Sequence, residues 1–476
     1  MQGFAARLWH SPTFTTWGSI GVRLMSMLLV LPLVLVRFEP AEVAVWQLFA
    51  TLFTLMLLLD FGLSPTFSRL LAYARGGATL AQMADMRGLP AGAAVADAGT
   101  AANIFGSLRW LFPRLALIAL LLFGIVGTIS LQRPIAMTAN PAVAWLAWAL
   151  VLPTSAIGLW GCVFTATLQG MNQIVILRRW EIAASLGQVA TCLAVLAGGG
   201  GLLALVAAYQ CWTVIGALLG RVLLKRLHPE LFAIKPALNV DVMRIMWPAT
   251  WRSGIGILMG QGVIQASGVA YGQMGSPSEV AAYLLALRVM TVVSQFAQAP
   301  FYSKLPRLAE MQARGERAGQ MQLAQHGMRL AHWINVAGVL AVAVVAQPML
   351  SLIGSKTPFV AADVWALMAL ACFAERFGAM HLQLFSLTNN IKWHIASGVT
   401  GILMIVIATA AYPYVSVYAF PLAMLVAYAC FYSAYSAWHS QAAFGFPLFS
   451  FETVTSIPPA LVLLGVLVLL HRFPVF

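Results

Sequence analysis

Apolar runs long enough to cross a bilayer recur along almost the whole chain, and this narrows the fold more than any other feature. A helix needs about 20 apolar residues to span the hydrocarbon core. About thirteen such runs lie near residues 16–36, 42–63, 110–131, 141–168, 181–199, 202–222, 247–271, 279–302, 328–350, 361–387, 393–413, 416–437 and 453–471. Only helices and closed barrels satisfy their backbone hydrogen bonds inside lipid. Barrel strands are about ten residues long and alternate in polarity; these runs do neither, so each reads as a helix. Charge agrees. Only 9% of the 476 residues are charged, against about a quarter in a soluble domain, too few to build a water-facing surface. The expected fold is an all-α polytopic membrane protein with about 12–13 transmembrane helices.

The basic residues orient the bundle. With the N-terminus in the cytoplasm, nineteen of the 27 Lys and Arg residues fall at cytoplasmic ends and loops, and four on the other side. Basic residues concentrate in cytoplasmic loops, so the net charge of +13 is explained without nucleic acid. No basic stripe with interleaved aromatics and no zinc or helix-turn-helix pattern argues for nucleic-acid binding. The longest polar stretch, Ala74 to Ser107, reads as a cytoplasmic loop with a short helix, and the external loops are short. Met1 to Trp17 reads as an interfacial stretch without a cleavage signal. The five cysteines, Cys162, Cys192, Cys211, Cys372 and Cys430, sit inside apolar runs without metal-ligand spacing and read as small buried hydrophobes.

A faint internal repeat accompanies this pattern. Glu42-Val43-Ala44 opens the second run and Glu279-Val280-Ala281 the eighth. Arg69-Leu70 and Arg307-Leu308 close the same two runs, and Arg75-Gly76 and Arg314-Gly315 follow in step. The expectation is two six-helix lobes of the same orientation, residues 1–235 and 236–440, with an extra helix in 441–476. Transporters are often built from such repeats, with the site between the halves.

Four arginines lie within the spans: Arg23, Arg252, Arg288 and Arg376. A mid-bilayer arginine costs about 2.5–3.5 kcal/mol on insertion scales, so each should face a wet cavity or an acid. A cavity lined by guanidinium forks suits phosphate oxygens, and a diphosphate above all. The structural alternative is snorkelling or pairing with Asp60, Asp363 or Glu375. Asp60, in Leu59-Asp60-Phe61-Gly62-Leu63, reads first as a structural residue that caps the next segment or pairs with Arg69, and second as a carrier of a coupling proton or sodium ion. Glu375 is the second coupling candidate. Glu375 and Arg376 are neighbours pointing about 100° apart on a helix, so each is expected to find a different partner.

His332 and His381 read as residues that each make one interhelical hydrogen bond, with proton relay the weaker reading. The tryptophans at 46, 110, 145, 148, 180, 247, 251 and 393 fall near span ends and read as an aromatic belt. Pro32, Pro153, Pro248, Pro300 and Pro421 are expected to kink helices. No P-loop, no HExxH and no acidic pair on a large external loop is present. Neither a cofactor nor a metal is expected, and the chain does not read as an enzyme.

The sequence resembles the Wzx-type flippases of lipid-linked oligosaccharides, members of the superfamily that also holds multidrug extruders and the lipid II flippase. The resemblance rests on Leu59-Asp60-Phe61-Gly62-Leu63 with Arg69 after it, on Tyr283-Leu284-Leu285-Ala286-Leu287-Arg288, and on Lys304-Leu305-Pro306-Arg307-Leu308-Ala309. It covers roughly residues 15–440. It implies two lobes around a cationic cavity, alternating access, and a polyprenyl-diphosphate-linked oligosaccharide as substrate. It also implies a place in the bacterial inner membrane, in O-antigen or other surface polysaccharide synthesis, with polymerase or chain-length proteins as partners. Arg23, Arg252 and Arg288 would line the cavity. The extra C-terminal helix departs from the twelve-span core. The alternatives are a multidrug or cation antiporter, a lipid II flippase and, more remotely, a membrane polysaccharide polymerase.

Overall fold

The computed structural model describes residues 29–77, 79–80, 83, 98–314, 316–388 and 392–472. Among them every regular element is helical. Eight helices are long and apolar enough to cross a membrane, or nine if the bent pair Leu448–Thr455 and Ile457–Leu470 is one span. The difference from thirteen has local causes. Most of the run at 16–36, with Arg23, lies outside the described residues. The run at 247–271 is diluted by Gln261, Gln265 and five glycines, and carries a π-turn at Leu258–Gly262. The run at 361–387 carries Glu375, Arg376 and His381 in its second half. The runs at 393–413 and 416–437 form one helical stretch, Trp393–Phe444, which turns back at Ser416, where φ is 51°.

The elements that position the site are α1 (Pro40–Leu58), α2 (Leu63–Arg75), α3 (Ala98–Ala136), α4 (Pro141–Gly170), α5 (Ile174–Ala197), α6 (Leu202–Leu227) and α7 (Val240–Ile257). After the π-turn follow α8 (Val263–Gly272), α9 (Pro277–Tyr302), α10 (Leu305–Arg314), α11 (Arg317–Leu352), α12 (Ala362–Ser386), α13 (Trp393–Val415) and α14 (Ala419–Ala427). A second π-turn, Tyr428–Ser433, leads into α15 (Ala434–Phe444), α16 (Leu448–Thr455) and α17 (Ile457–Arg472). The chain divides into two compact units, Met1–Gly254 and Ile255–Phe476.

The two Glu-Val-Ala motifs turn out to be helix starts. Glu42 is the third residue of α1, where its carboxylate accepts the Glu39 N–H at 3.3 Å. Glu279 holds the same place in α9 and accepts the Ser276 N–H at 3.0 Å and the Ser276 hydroxyl at 2.8 Å. Both helices open on a proline, Pro40 and Pro277. A capping box with Pro in the first turn satisfies the orphan N–H groups of any helix. Helix-capping chemistry alone therefore accounts for this part of the apparent repeat.

The polar stretch from Ala74 to Ser107 is less of a loop than expected. Residues 98–107 are the first turns of α3, a 39-residue helix. On its outer face Leu117, Ile118, Leu121, Ile125 and Ile129 are each more than half exposed. An apolar stripe of that length, repeating every three to four residues, needs lipid rather than water against it. The chain is a multi-pass membrane protein.

The aromatic-belt expectation fails at two positions. Trp46 and Trp148 are buried. Trp148 stacks on Phe49 at 5.7 Å and donates its indole N–H to Thr128 at 2.9 Å. Gly127 leaves room for that ring, since a Cβ there would lie 2.7 Å from it. Trp247, by contrast, is 57% exposed, as an interfacial anchor would be. The cysteines also divide: Cys192 and Cys372 are buried, but Cys211 and Cys430 are exposed.

Candidate functional site

In the N-terminal unit the break between α1 and α2 is built from Asp60, Phe61 and Gly62. Phe61 and Gly62 take left-handed conformations, with φ of 52° and 74°. This ends α1 and starts α2 along a new axis. The Asp60 carboxylate accepts the Ser64 N–H at 3.1 Å and the Ser64 hydroxyl at 2.9 Å, so it caps the new helix. The turn packs on Ser253 and Gly254 of α7. A Cβ on Gly62 would lie 2.7 Å from Ser253 Cβ, and one on Gly254 would lie 2.2 Å from the Phe61 ring. Arg252, the residue before this contact, is exposed. Its guanidinium lies 5.7 Å from the Trp251 ring centroid.

In the C-terminal unit the polar groups gather around Arg376 on α12. Arg376 is 3% exposed. It donates to Ser294 and, at 3.5 Å, to Gln298, both on α9. It also donates to Glu375 at 3.2 Å, and Tyr302 lies within electrostatic range of it. The expectation that Glu375 and Arg376 find separate partners is therefore wrong. Their Cβ atoms diverge, but both side chains are long enough to curl together. Gln298 and Ser294 still engage the outer nitrogens, while Nε is buried without a partner. Glu375 keeps 28% of its side chain exposed.

A feature that sequence reasoning missed packs against this pair. The π-turn at Tyr428–Ser433 brings Tyr428 and Tyr432 into the interior, and both lie within electrostatic range of Glu375 and Arg376. Ser433 donates to the Ala374 carbonyl at 2.8 Å, and Gly378 admits the Tyr432 ring, 2.4 Å from where its Cβ would stand. π-Turns are rare and concentrate at functional sites. The close small-residue approach at Gly378 was a legible sign; the extra residue in the turn was not.

Farther along α12, His381 engages both ring nitrogens: Nδ1 with the Ser440 hydroxyl at 2.7 Å and Nε2 with Glu452 at 3.0 Å. Glu452 also accepts from Thr455 at 2.6 Å and Ser456 at 2.5 Å. This is two interhelical bonds rather than the one expected, and it fastens α16 to α12. His332 lies against Phe373, ring centroids 4.7 Å apart and planes tilted by 33°, and its Nδ1 is buried without a hydrogen bond. Arg288 lies partly buried on α9, six residues before Ser294. Among the described residues no group of three His, Cys, Asp or Glu side chains is placed to hold a metal ion.

No protein-family model and no curated protein matches the sequence. Solved structures do match. A multidrug resistance transporter of the MATE family, in an inward-facing conformation, aligns with a TM-score of 0.66 at 13% identity, over 92% of this chain and 98% of that one. The lipid II flippase MurJ, in an inward closed conformation, aligns with a TM-score of 0.64 at 9% identity, over 95% and 92%. The MATE multidrug transporter DinF-BH aligns with a TM-score of 0.61 at 14% identity, over 92% and 98%. The fold is the one these transporters share. Identities this low carry the fold and not the substrate. These structural relatives are transporters rather than enzymes.

Proposed function

We propose that this protein is a flippase that carries a polyprenyl-diphosphate-linked oligosaccharide across the bacterial inner membrane by alternating access, without covalent chemistry. The observation that carries the reading is the choice of arginine at polar positions of the spans, on a fold shared with a lipid II flippase. Arg252 is exposed and, among the described residues, meets no carboxylate. With Arg288, and with Arg23 of the N-terminal segment, it supplies the guanidinium forks that a diphosphate matches. The donors of Arg376 are committed to Ser294, Gln298 and Glu375, so its part is to shape the C-terminal lobe around the substrate. Asp60 and Glu375 are the acids through which a proton or sodium gradient would reset the cycle. The N-terminus lies in the cytoplasm, as the basic loops require, and the two halves act as six-helix lobes with the C-terminal helix as an addition.

A multidrug or cation antiporter on the same fold would want acids where these arginines stand. A lipid II flippase shares the anion logic and differs only in the glycan. The test is translocation in proteoliposomes. A fluorescent polyprenyl-diphosphate oligosaccharide is followed by its accessibility to an impermeant quencher, for wild type, Arg252→Ala and Arg288→Ala at matched expression. Loss of transport in both variants supports the reading. No transport by folded wild type across several glycans under an imposed gradient would move the assignment to the antiporter.

A further inference from the structure

Two further arginines, Arg109 and Arg221, stand apart from the span arginines in the N-terminal unit. Arg109 on α3 lies beside the segment that follows α6. Its Nη1 donates to the Ile234 carbonyl at 3.2 Å, and its guanidinium lies 5.1 Å from the Phe232 ring centroid and 5.7 Å from that of Phe105. Arg221 on α6 lies 5.9 Å from the Trp160 ring centroid on α4. Both arginines border one apolar cluster, which holds Phe105, Phe164 and Leu224 with Trp160 and Phe232 packed against it. Among the described residues neither meets a carboxylate. Two arginines on aromatic faces at the edge of one cluster, with no acid to pair them, leave positive charge that an anion would meet.

The surroundings say which anion. Along α6 the exposed face runs from Leu218, 47% exposed, through Arg221 to Lys225, spaced three and four residues apart. Val222 beside Arg221 is also exposed. The surface therefore changes from apolar to basic within two helical turns, which is how a helix meets the boundary between acyl chains and headgroups. A ligand here needs a phosphate at the arginines and hydrocarbon along Leu218 and Val222.

We propose that Arg109, Arg221 and Trp160 form a binding site for the phosphate of an anionic phospholipid, in the leaflet at the basic ends of the helices. The site also touches the segment that joins α6 to α7. Phe232 meets the edge of Phe105 at 5.1 Å, and the Asn239 N–H donates to Ser107 at 3.1 Å, so residues 232–239 are strapped along α3 beside Arg109. A phosphate on Arg109 would hold that guanidinium, and with it the Ile234 carbonyl, in place.

The experiment uses the full chain in detergent and counts bound lipids by native mass spectrometry against dioleoyl phosphatidylglycerol and dioleoyl phosphatidylcholine. Wild type should take up one phosphatidylglycerol in clear preference. Each basic residue near a headgroup is worth about fivefold in affinity, so Arg221→Gln should lower phosphatidylglycerol binding about fivefold and leave phosphatidylcholine unchanged. Arg221→Lys should keep most of the preference. Arg244→Gln, an exposed arginine paired with Asp241 outside the site, should leave binding as in wild type. Equal uptake of the two lipids, or equal losses from Arg221→Gln and Arg244→Gln, would overturn the proposal. Displacement of phosphatidylglycerol by equimolar inorganic phosphate would overturn the lipid as the ligand and leave a free-phosphate site. Arg221 is exposed, so its variants should melt with wild type, and a folding loss would itself contradict the geometry.

Discussion

Replacing Arg376 with methionine keeps the aliphatic stem and removes the guanidinium from the interior of the C-terminal unit. Glu375 then loses its counter-ion, and Ser294 and Gln298 lose a donor. Breaking a buried ion pair by removing one member costs about 3–5 kcal/mol. Glu375 retains some exposure to solvent, which places Arg376→Met near 3 kcal/mol, at the bottom of that range. Glu375→Gln should cost slightly more, about 4 kcal/mol, because it strands the more deeply buried charge. The double variant leaves no charge behind and should recover much of the loss, with a coupling of about 2–3 kcal/mol. For a cooperative unit the size of Ile255–Phe476, each kcal/mol moves Tm by about 2–4 °C, so Arg376→Met should melt about 6–12 °C below wild type. Melting of the purified protein in detergent measures all three. An Arg376→Met variant within 1 °C of wild type, or a double variant as unstable as the sum of the singles, would refute the internal ion pair. Arg376 would then be available for an external anion.

The other predictions concern the turns, the C-terminal helices and the thiols. Gly62→Ala should destabilise by about 1–2 kcal/mol for the left-handed backbone alone, with the approach to Ser253 added. Gly124→Ala, with open space around it, should stabilise by about 0.5–1 kcal/mol; melting of the two variants side by side checks both. Glu452→Leu removes the acceptor of three side chains and should release α16 from α12, read as earlier proteolysis after residue 444 at unchanged cleavage elsewhere. Protection equal to wild type would show that apolar packing alone seats α16. A membrane-permeant maleimide should label Cys211 and Cys430 quickly and Cys372 only on unfolding, which peptide mapping by mass spectrometry resolves.

Much of the fold was legible because the constraint behind it is severe. Runs of apolar residues near the bilayer thickness leave the backbone no choice but helix, and prolines with capping glutamates mark where α1 and α9 begin. The sequence also placed Asp60 at a break, since Gly and Pro flank it, and it singled out Arg376 and Glu375 as costly residues in need of partners. Which partners they take was not legible. Trp148 turns inward to Thr128 while Trp247 faces out, though both sit near span ends, because lipid and protein interior are equally apolar and hydropathy does not separate them. His381 meets Glu452 across 71 residues, and the π-turn that carries Tyr432 onto Gly378 depends on one extra residue in a helical turn. Sequence alone determined what must leave water, because that is a property of each segment. The tertiary structure decided which polar groups answer one another, because in a medium without water each buried charge takes the partner that packing brings within reach.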